Sequence, residues 1–245
     1  MSRKNSRNKR IAGSVTTVLV PVLLVAGLGA LSKGFTNLDV KDWLGIKEKE
    51  EDTRVNLAIV NLKNDVCGSQ LNKDTIIPFF NTSLVGKDSI FKDVATIEKD
   101  VEVTGSDGVA TTEKVTEYLV ESVFKDNGGV KFGTSSQLGS FTLNMVDSYS
   151  FNRVKIVGRN YSALNSQTQI YSCDQSSIIV NGAEAQVFGT NAADTTKEAP
   201  TEEKVFKFTD MQKQLSISVL GKRATIFTIE MWTEVEKPSA SNSAK

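Results

Sequence analysis

Between Val55 and Trp232 the chain is a succession of short β-branched and aromatic segments, each closed by glycine, asparagine, aspartate or serine. No other feature constrains the fold as much. Short strands recurring at a spacing of about 8–12 residues, with turn residues between them, indicate a sandwich or barrel. Strands are expected at residues 55–62, 101–104, 117–124, 130–132, 139–145, 153–157, 169–172, 177–180, 186–188, 204–208, 215–220 and 224–232. Alternation is plain in two of them. Phe141, Leu143 and Met145 fall on one face of SFTLNM, and Leu215, Ile217 and Val219 on one face of QLSISVL. Asn181-Gly182, after IIV, is a tight-turn signal, and Asp126-Asn127-Gly128-Gly129 is a turn of the same kind. The polar stretch GTNAADTTKEAPTEE (residues 189–203) predicts a long loop.

The 245 residues include no histidine. Ser-His-Asp and Cys-His nucleophilic machinery are thereby excluded, as are zinc and iron sites built on imidazole. Acid–base work near neutral pH would fall to a carboxyl or lysine with a shifted pKa. Two cysteines, Cys67 and Cys173, are too few for an all-thiolate zinc site or an iron–sulfur cluster. Carboxylates such as Glu117, Glu121, Glu202 and Glu203 have no context that marks a glycosidase pair. The expectation is a protein without enzymatic activity.

The 29 basic and 29 acidic side chains cancel, but unevenly. Arg3, Lys4, Arg7, Lys9 and Arg10 fall in the first ten residues with no acid among them, so 24 basic residues face 29 acidic ones afterwards. That acidic remainder offers no phosphate-tracking surface, and nucleic acid is not an expected partner. Behind the basic cluster, residues 11–31 (IAGSVTTVLVPVLLVAGLGAL) carry no charge. At about 1.5 Å rise per residue their length matches a hydrocarbon core of about 30 Å. The charge asymmetry predicts a single-pass helix in the cell membrane, with a cytoplasmic N-terminus and an extracytoplasmic C-terminal part. A cleaved signal peptide and a secreted product remain the rival reading.

The expected organisation is a basic cytoplasmic tail (residues 1–10), a transmembrane signal-anchor (11–31), a juxtamembrane stalk (32–54), an extracytoplasmic β-sandwich (55–236) and a disordered tail (237–245). The stalk carries Leu38, Val40, Trp43, Leu44 and Ile46 at roughly helical spacing, then the solvated charge run KEKEED.

From Gly128 onward the segments follow a recognisable order: GGVKFGTSSQLGSFTLNM, FNRVKIVGRNYS, SSIIVNG, KVFKFTD and LSISVLGKRATIFTIEM. This order resembles the galactose-binding-like module of Gram-positive bacterial surface proteins. Residues 166–175, with Cys173, and the long 189–203 stretch depart from it as insertions. The resemblance implies an all-β, jelly-roll-type antiparallel β-sandwich. It also implies an accessory or adhesive role with no catalytic residues to transfer.

Candidate sites are few. Arg153, Arg159 and Tyr161, around the strand FNRVKIVGRNYS, are where sugar binding by a sandwich is expected; the plain alternative is rim packing and solvated charge. Asp126 and Asn127 are either a structural Ca²⁺ site or an ordinary turn, and no other cofactor is expected. Cys67 and Cys173 allow a disulfide in an exported domain or two unpaired thiols. The expected partners are the membrane, through the helix, and a glycan or protein at the cell surface. The alternative role is an accessory subunit of a membrane-spanning secretion or conjugation assembly.

Overall fold

A computed structural model of the chain describes residues 53–64, 66–104, 106, 110–189 and 196–235. The expected basic tail, transmembrane segment, stalk up to residue 52 and C-terminal tail lie outside these residues. Among the described residues no helix is long and apolar enough to cross a membrane.

In chain order the described elements are β1 (Arg54–Asn61), β2 (Gln70–Leu71), α1 (Ile76–Thr82), β3 (Phe91–Val94), β4 (Thr96–Thr104) and β5 (Ala110–Tyr118). Then come β6 (Val120–Glu121), β7 (Val123–Asp126), β8 (Gly129–Phe132), β9 (Ser140–Met145), β10 (Phe151–Asn160) and β11 (Ser162–Asn165). The last are β12 (Ile170–Cys173), β13 (Ser177–Val180), β14 (Gln186–Val187), β15 (Glu202–Gln212), β16 (Gln214–Leu220) and β17 (Ala224–Glu234).

All pairings among the described residues are antiparallel, and these residues are mostly β, as expected. One sheet is ordered β15-β10-β17-β8-β7-β2, with β1 pairing β17 beyond the end of β8. The second is ordered β14-β13-β16-β9-β3, with β6 pairing β9 beside β3. From β8 onward the chain changes sheet repeatedly: β8 lies in the first, β9 in the second, β10 in the first, β13 in the second. Strands β15, β16 and β17 continue the alternation. Two separate hairpins, β4–β5 and β11–β12, stand outside both sheets.

The inner faces of the two sheets form one apolar core. Phe141, Leu143 and Met145 of β9 and Leu215, Ile217 and Val219 of β16 are buried, the faces that the alternation assigned inward. Val154 and Ile156 of β10, with Ile226, Ile229 and Met231 of β17, cover them from the other sheet. Each such side chain contributes about 1.5–3 kcal/mol by leaving water. Asn181 (φ 48) and Gly182 (φ 71) make the tight turn expected after IIV, and the Ala183 N–H closes it on the Val180 carbonyl at 2.9 Å.

Strands β2, β3, β11 and most of β5 stand where no strand was expected, and two further departures have a visible local cause. The single strand expected at residues 117–124 is broken into the end of β5, β6 and the start of β7. Ser122 causes the break: it is buried with φ 49, its carbonyl accepts the Gly133 N–H at 2.7 Å and its hydroxyl bonds Gln137 at 3.1 Å. This left-handed residue lets the chain leave β9 and join β8. The second feature is α1, where no element was expected. Asn72 Oδ1 accepts the N–H groups of Asp74 and Thr75 (3.0 and 3.1 Å) and starts the turn, and Pro78 sits in the first turn, where a missing N–H costs nothing. Ile76 and Phe80, four apart, pack into the core, and Asn81 fastens the helix to β3 through the Phe91 backbone.

Tyr149 is buried, and its hydroxyl donates to the Met231 carbonyl at 3.1 Å. Burial pushes its pKa above the ordinary tyrosine value. The folded chain thus keeps a proton that the unfolded chain releases above about pH 10. The contribution is complete below that pH and is lost as pH rises towards the folded value. Tyr149→Phe is therefore expected to flatten the alkaline limb of the stability–pH curve in urea denaturation. An unchanged limb would contradict this.

Candidate functional site

At one end of the first sheet the backbone brings five segments together. The β7–β8 turn contributes Asp126 and Asn127, and the end of β10 contributes Arg159. Tyr161 and Ser162 lead into β11, Thr225 opens β17, and Glu198 comes from the segment before β15. Together they line a recess of about 130 Å³.

Strand periodicity sets the directions: Asn160 turns inward and is fully buried, while its neighbour Arg159 faces out and is only partly buried. A register shift between Val157 and Gly158 leaves Phe227 of β17 as an extra residue. Phe227 lies 5.3 Å from the Arg159 guanidinium. The floor is close-packed, because a Cβ on Gly129 would meet the Ile226 carbonyl at 2.7 Å and the Phe227 ring at 2.9 Å.

Most polar groups of the wall are already held. Arg159 Nη1 donates to the Glu198 carboxylate. Among the described residues, its Nε is buried and has no partner. The Tyr161 ring has the Arg223 guanidinium 4.3 Å from its centroid and Lys131 Nζ at 5.4 Å. Arg223 in turn donates to Asp174 at 2.6 Å, which holds the guanidinium pKa above its ordinary value. Asp126 Oδ2 accepts the Thr225 hydroxyl at 3.2 Å. The Ser162 hydroxyl accepts the Ala199 N–H at 2.9 Å. Part of the stretch expected as a loop is thus tied down, with Ala199 buried.

Four residues singled out from the sequence on separate grounds, Asp126, Asn127, Arg159 and Tyr161, therefore share one recess. Arg153 does not. It lies six residues from Arg159 on the same strand, about 20 Å away at strand rise. There it pairs with Glu234 and donates to the Phe208 carbonyl at 3.2 Å. A cation, the Arg223 guanidinium, sits against the Tyr161 ring.

Among the described residues no group of three or more acidic or thiol side chains converges as a metal site. Cys67 is exposed before β2, Cys173 ends β12, and both are free thiols. Sequence reasoning missed Glu198, Ser162 and Thr225. Glu198 lies in a polar run with nothing to distinguish it from its neighbours, and the two hydroxyls are ordinary strand residues until the fold sets them beside Arg159.

A larger recess of about 440 Å³ lies between β3, β9 and the β15–β16 turn. Its amides are already paired with one another and with Asp93: Asn144 donates to Asp93 at 2.5 Å, and Gln214 to Asn144 at 2.7 Å. No family model matches the chain, and no curated protein matches it in sequence.

Proposed function

We propose that this chain is a membrane-anchored, non-enzymatic, extracytoplasmic recognition protein whose jelly-roll sandwich holds a glycan residue in the polar recess. Strand orders β15-β10-β17-β8 and β14-β13-β16-β9, with the chain crossing repeatedly between the two sheets, support the jelly-roll assignment and the galactose-binding-like resemblance. The uncharged run at residues 11–31 behind a basic cluster supports the anchor.

The observation that carries the glycan reading is the wall itself. Carboxylate, amide, guanidinium and hydroxyl groups surround a small volume. Ring hydroxyls of a sugar satisfy such groups in both directions, whereas the centre of a protein interface is more apolar. Asp126 and Asn127 serve the ligand in this reading, since the neighbouring guanidinium is a poor setting for Ca²⁺.

A glycan array probed with the full chain in detergent tests the proposal. The expected result is binding to a defined sugar, weakened about tenfold by Asp126→Ala or Asn127→Ala with the circular dichroism unchanged. No glycan above background with the fold intact would sink it. The second reading, an accessory subunit of a secretion or conjugation assembly, is favoured by the exposed hairpin β4–β5. Cross-linking in membranes supports it if one defined partner is trapped, and recovery of monomer alone counts against it.

A further inference from the structure

Hairpin β4–β5 has no part in the recess. Its strands pair without a bulge from Thr96↔Tyr118 to Thr104↔Ala110, and every residue of both strands is exposed. Among the described residues neither strand has a neighbour on its outer side. A two-stranded ribbon is marginal by itself, and long straight edges are usually shortened, bulged or interrupted by proline. None of those devices interrupts these two strands.

Strand alternation sorts the side chains by face. Ile97, Val101 and Val103 of β4 share one face with Val115 of β5, all 37–45% exposed. Glu98, Asp100 and Glu102 line the other face of β4 at every second position. Glu98, Asp100, Glu102, Glu113 and Glu117 against Lys99 and Lys114 make five acids and two bases, a net charge of −3. Both lysines are engaged, Lys99 with Glu117 and Lys114 with Glu98. Asp100, which stands across the ladder from Lys114, and Glu102 and Glu113 form no ion pair among the described residues.

We propose that the outer edge of β4 is a strand-addition site for a basic, extended segment of a partner protein, with lysine or arginine alternating with aliphatic residues. Main-chain hydrogen bonds to the open edge supply affinity. Basic side chains of the added strand stand across from Glu98, Asp100 and Glu102 on one face, and its aliphatic ones extend the Ile97, Val101 and Val103 stripe on the other. Charge also decides against a second copy of this chain. Symmetric pairing through β4 would set those three acids opposite one another, which disfavours self-association while leaving the edge open to a basic strand.

The test uses the full chain and a fluorescent peptide of alternating lysine and valine. Two control peptides accompany it, one with glutamate in place of lysine and one N-methylated at alternate residues to block edge hydrogen bonds. Anisotropy is expected to show binding of the lysine–valine peptide, and affinities for both controls at least about tenfold weaker. The triple variant Glu98→Lys, Asp100→Lys, Glu102→Lys is expected to reverse the preference towards the glutamate peptide. Hydrogen exchange on the unmutated chain gives a readout independent of any variant: alternate β4 amides become protected when the peptide binds. Equal binding of the N-methylated peptide, absence of β4 protection, or no binding at all would each overturn the proposal.

Discussion

Phe141→Ala is expected to lower stability by about 3–5 kcal/mol, against a total of about 5–15 kcal/mol for a domain of this kind. Phe141 is 1% exposed and points inward from β9. Its ring centroid lies 5.0 Å from Phe80 of α1 and 5.5 Å from Phe132 of β8. One side chain thus joins the helix, the second sheet and the first sheet. Truncation removes the transfer energy of the ring and leaves a cavity between two hydrogen-bonded sheets that cannot close together freely. In urea denaturation the midpoint is expected to fall at an unchanged slope, and the more volume-conserving Phe141→Leu to recover much of the loss. Val187→Ala, at a residue 64% exposed, is the control and is expected to shift stability by less than about 0.5 kcal/mol. A loss below about 1 kcal/mol for Phe141→Ala would show that the rings are not coupled as their geometry implies.

The residues that build this core were legible because their environment is one-sided. In β9 and β16 each inward aliphatic or aromatic side chain alternates with a serine, threonine or asparagine that faces out, and period two leaves no other assignment. Where that condition fails, the sequence is silent or misleading. Helix α1 has seven residues, too few to repeat a helical period, and the turn that leads into it is held by Asn72, outside the element. Strand β4, expected only at residues 101–104, alternates as a half-buried strand does, yet its aliphatic face is exposed, so the pattern marked part of the strand but not its surroundings. Ser122 interrupts residues 117–124 because long-range bonds to Gly133 and Gln137 stabilise a backbone conformation that serine does not favour by itself.

The recess followed the same division. Arg159 and Tyr161, and separately Asp126 and Asn127, were singled out from residue type and turn context. Their meeting depends on β7, β10 and β17 being brought to one end of a sheet, a tertiary fact that no local pattern encodes. Asn160, which organises that end, looked like any polar residue at a strand terminus.

Asn160→Asp is expected to cost about 3–5 kcal/mol near neutral pH and markedly less in acid, although the two side chains have almost the same shape. Asn160 is fully buried and uses both ends of its amide. Nδ2 donates to the carbonyls of Phe188 and Gly189 at 3.2 and 3.0 Å, while Oδ1 accepts the Ser176 N–H and hydroxyl at 2.8 and 2.6 Å. These bonds tie the end of β10 to the chain on either side of β13 and β14. Aspartate keeps the acceptor but turns the donor into an oxygen facing two carbonyls. The ionised form is then buried against acceptors, and the protonated form restores only one donated bond. The folded pKa of the new carboxyl must therefore rise above its unfolded value of about 4. Its protonated state stabilises the fold fully below that pH, and the stabilisation is lost as pH climbs through the raised folded value. Urea denaturation at pH 4 and pH 7 is expected to show the deficit growing with pH, whereas Asn160→Ala, which leaves the same partners unpaired at every pH, gives a constant one. Because Arg159 and Tyr161 flank this residue, glycan affinity of the aspartate variant should recover in acid together with stability. Recovery of stability without recovery of binding would mean that Asn160 supports the core but does not set the geometry of the recess.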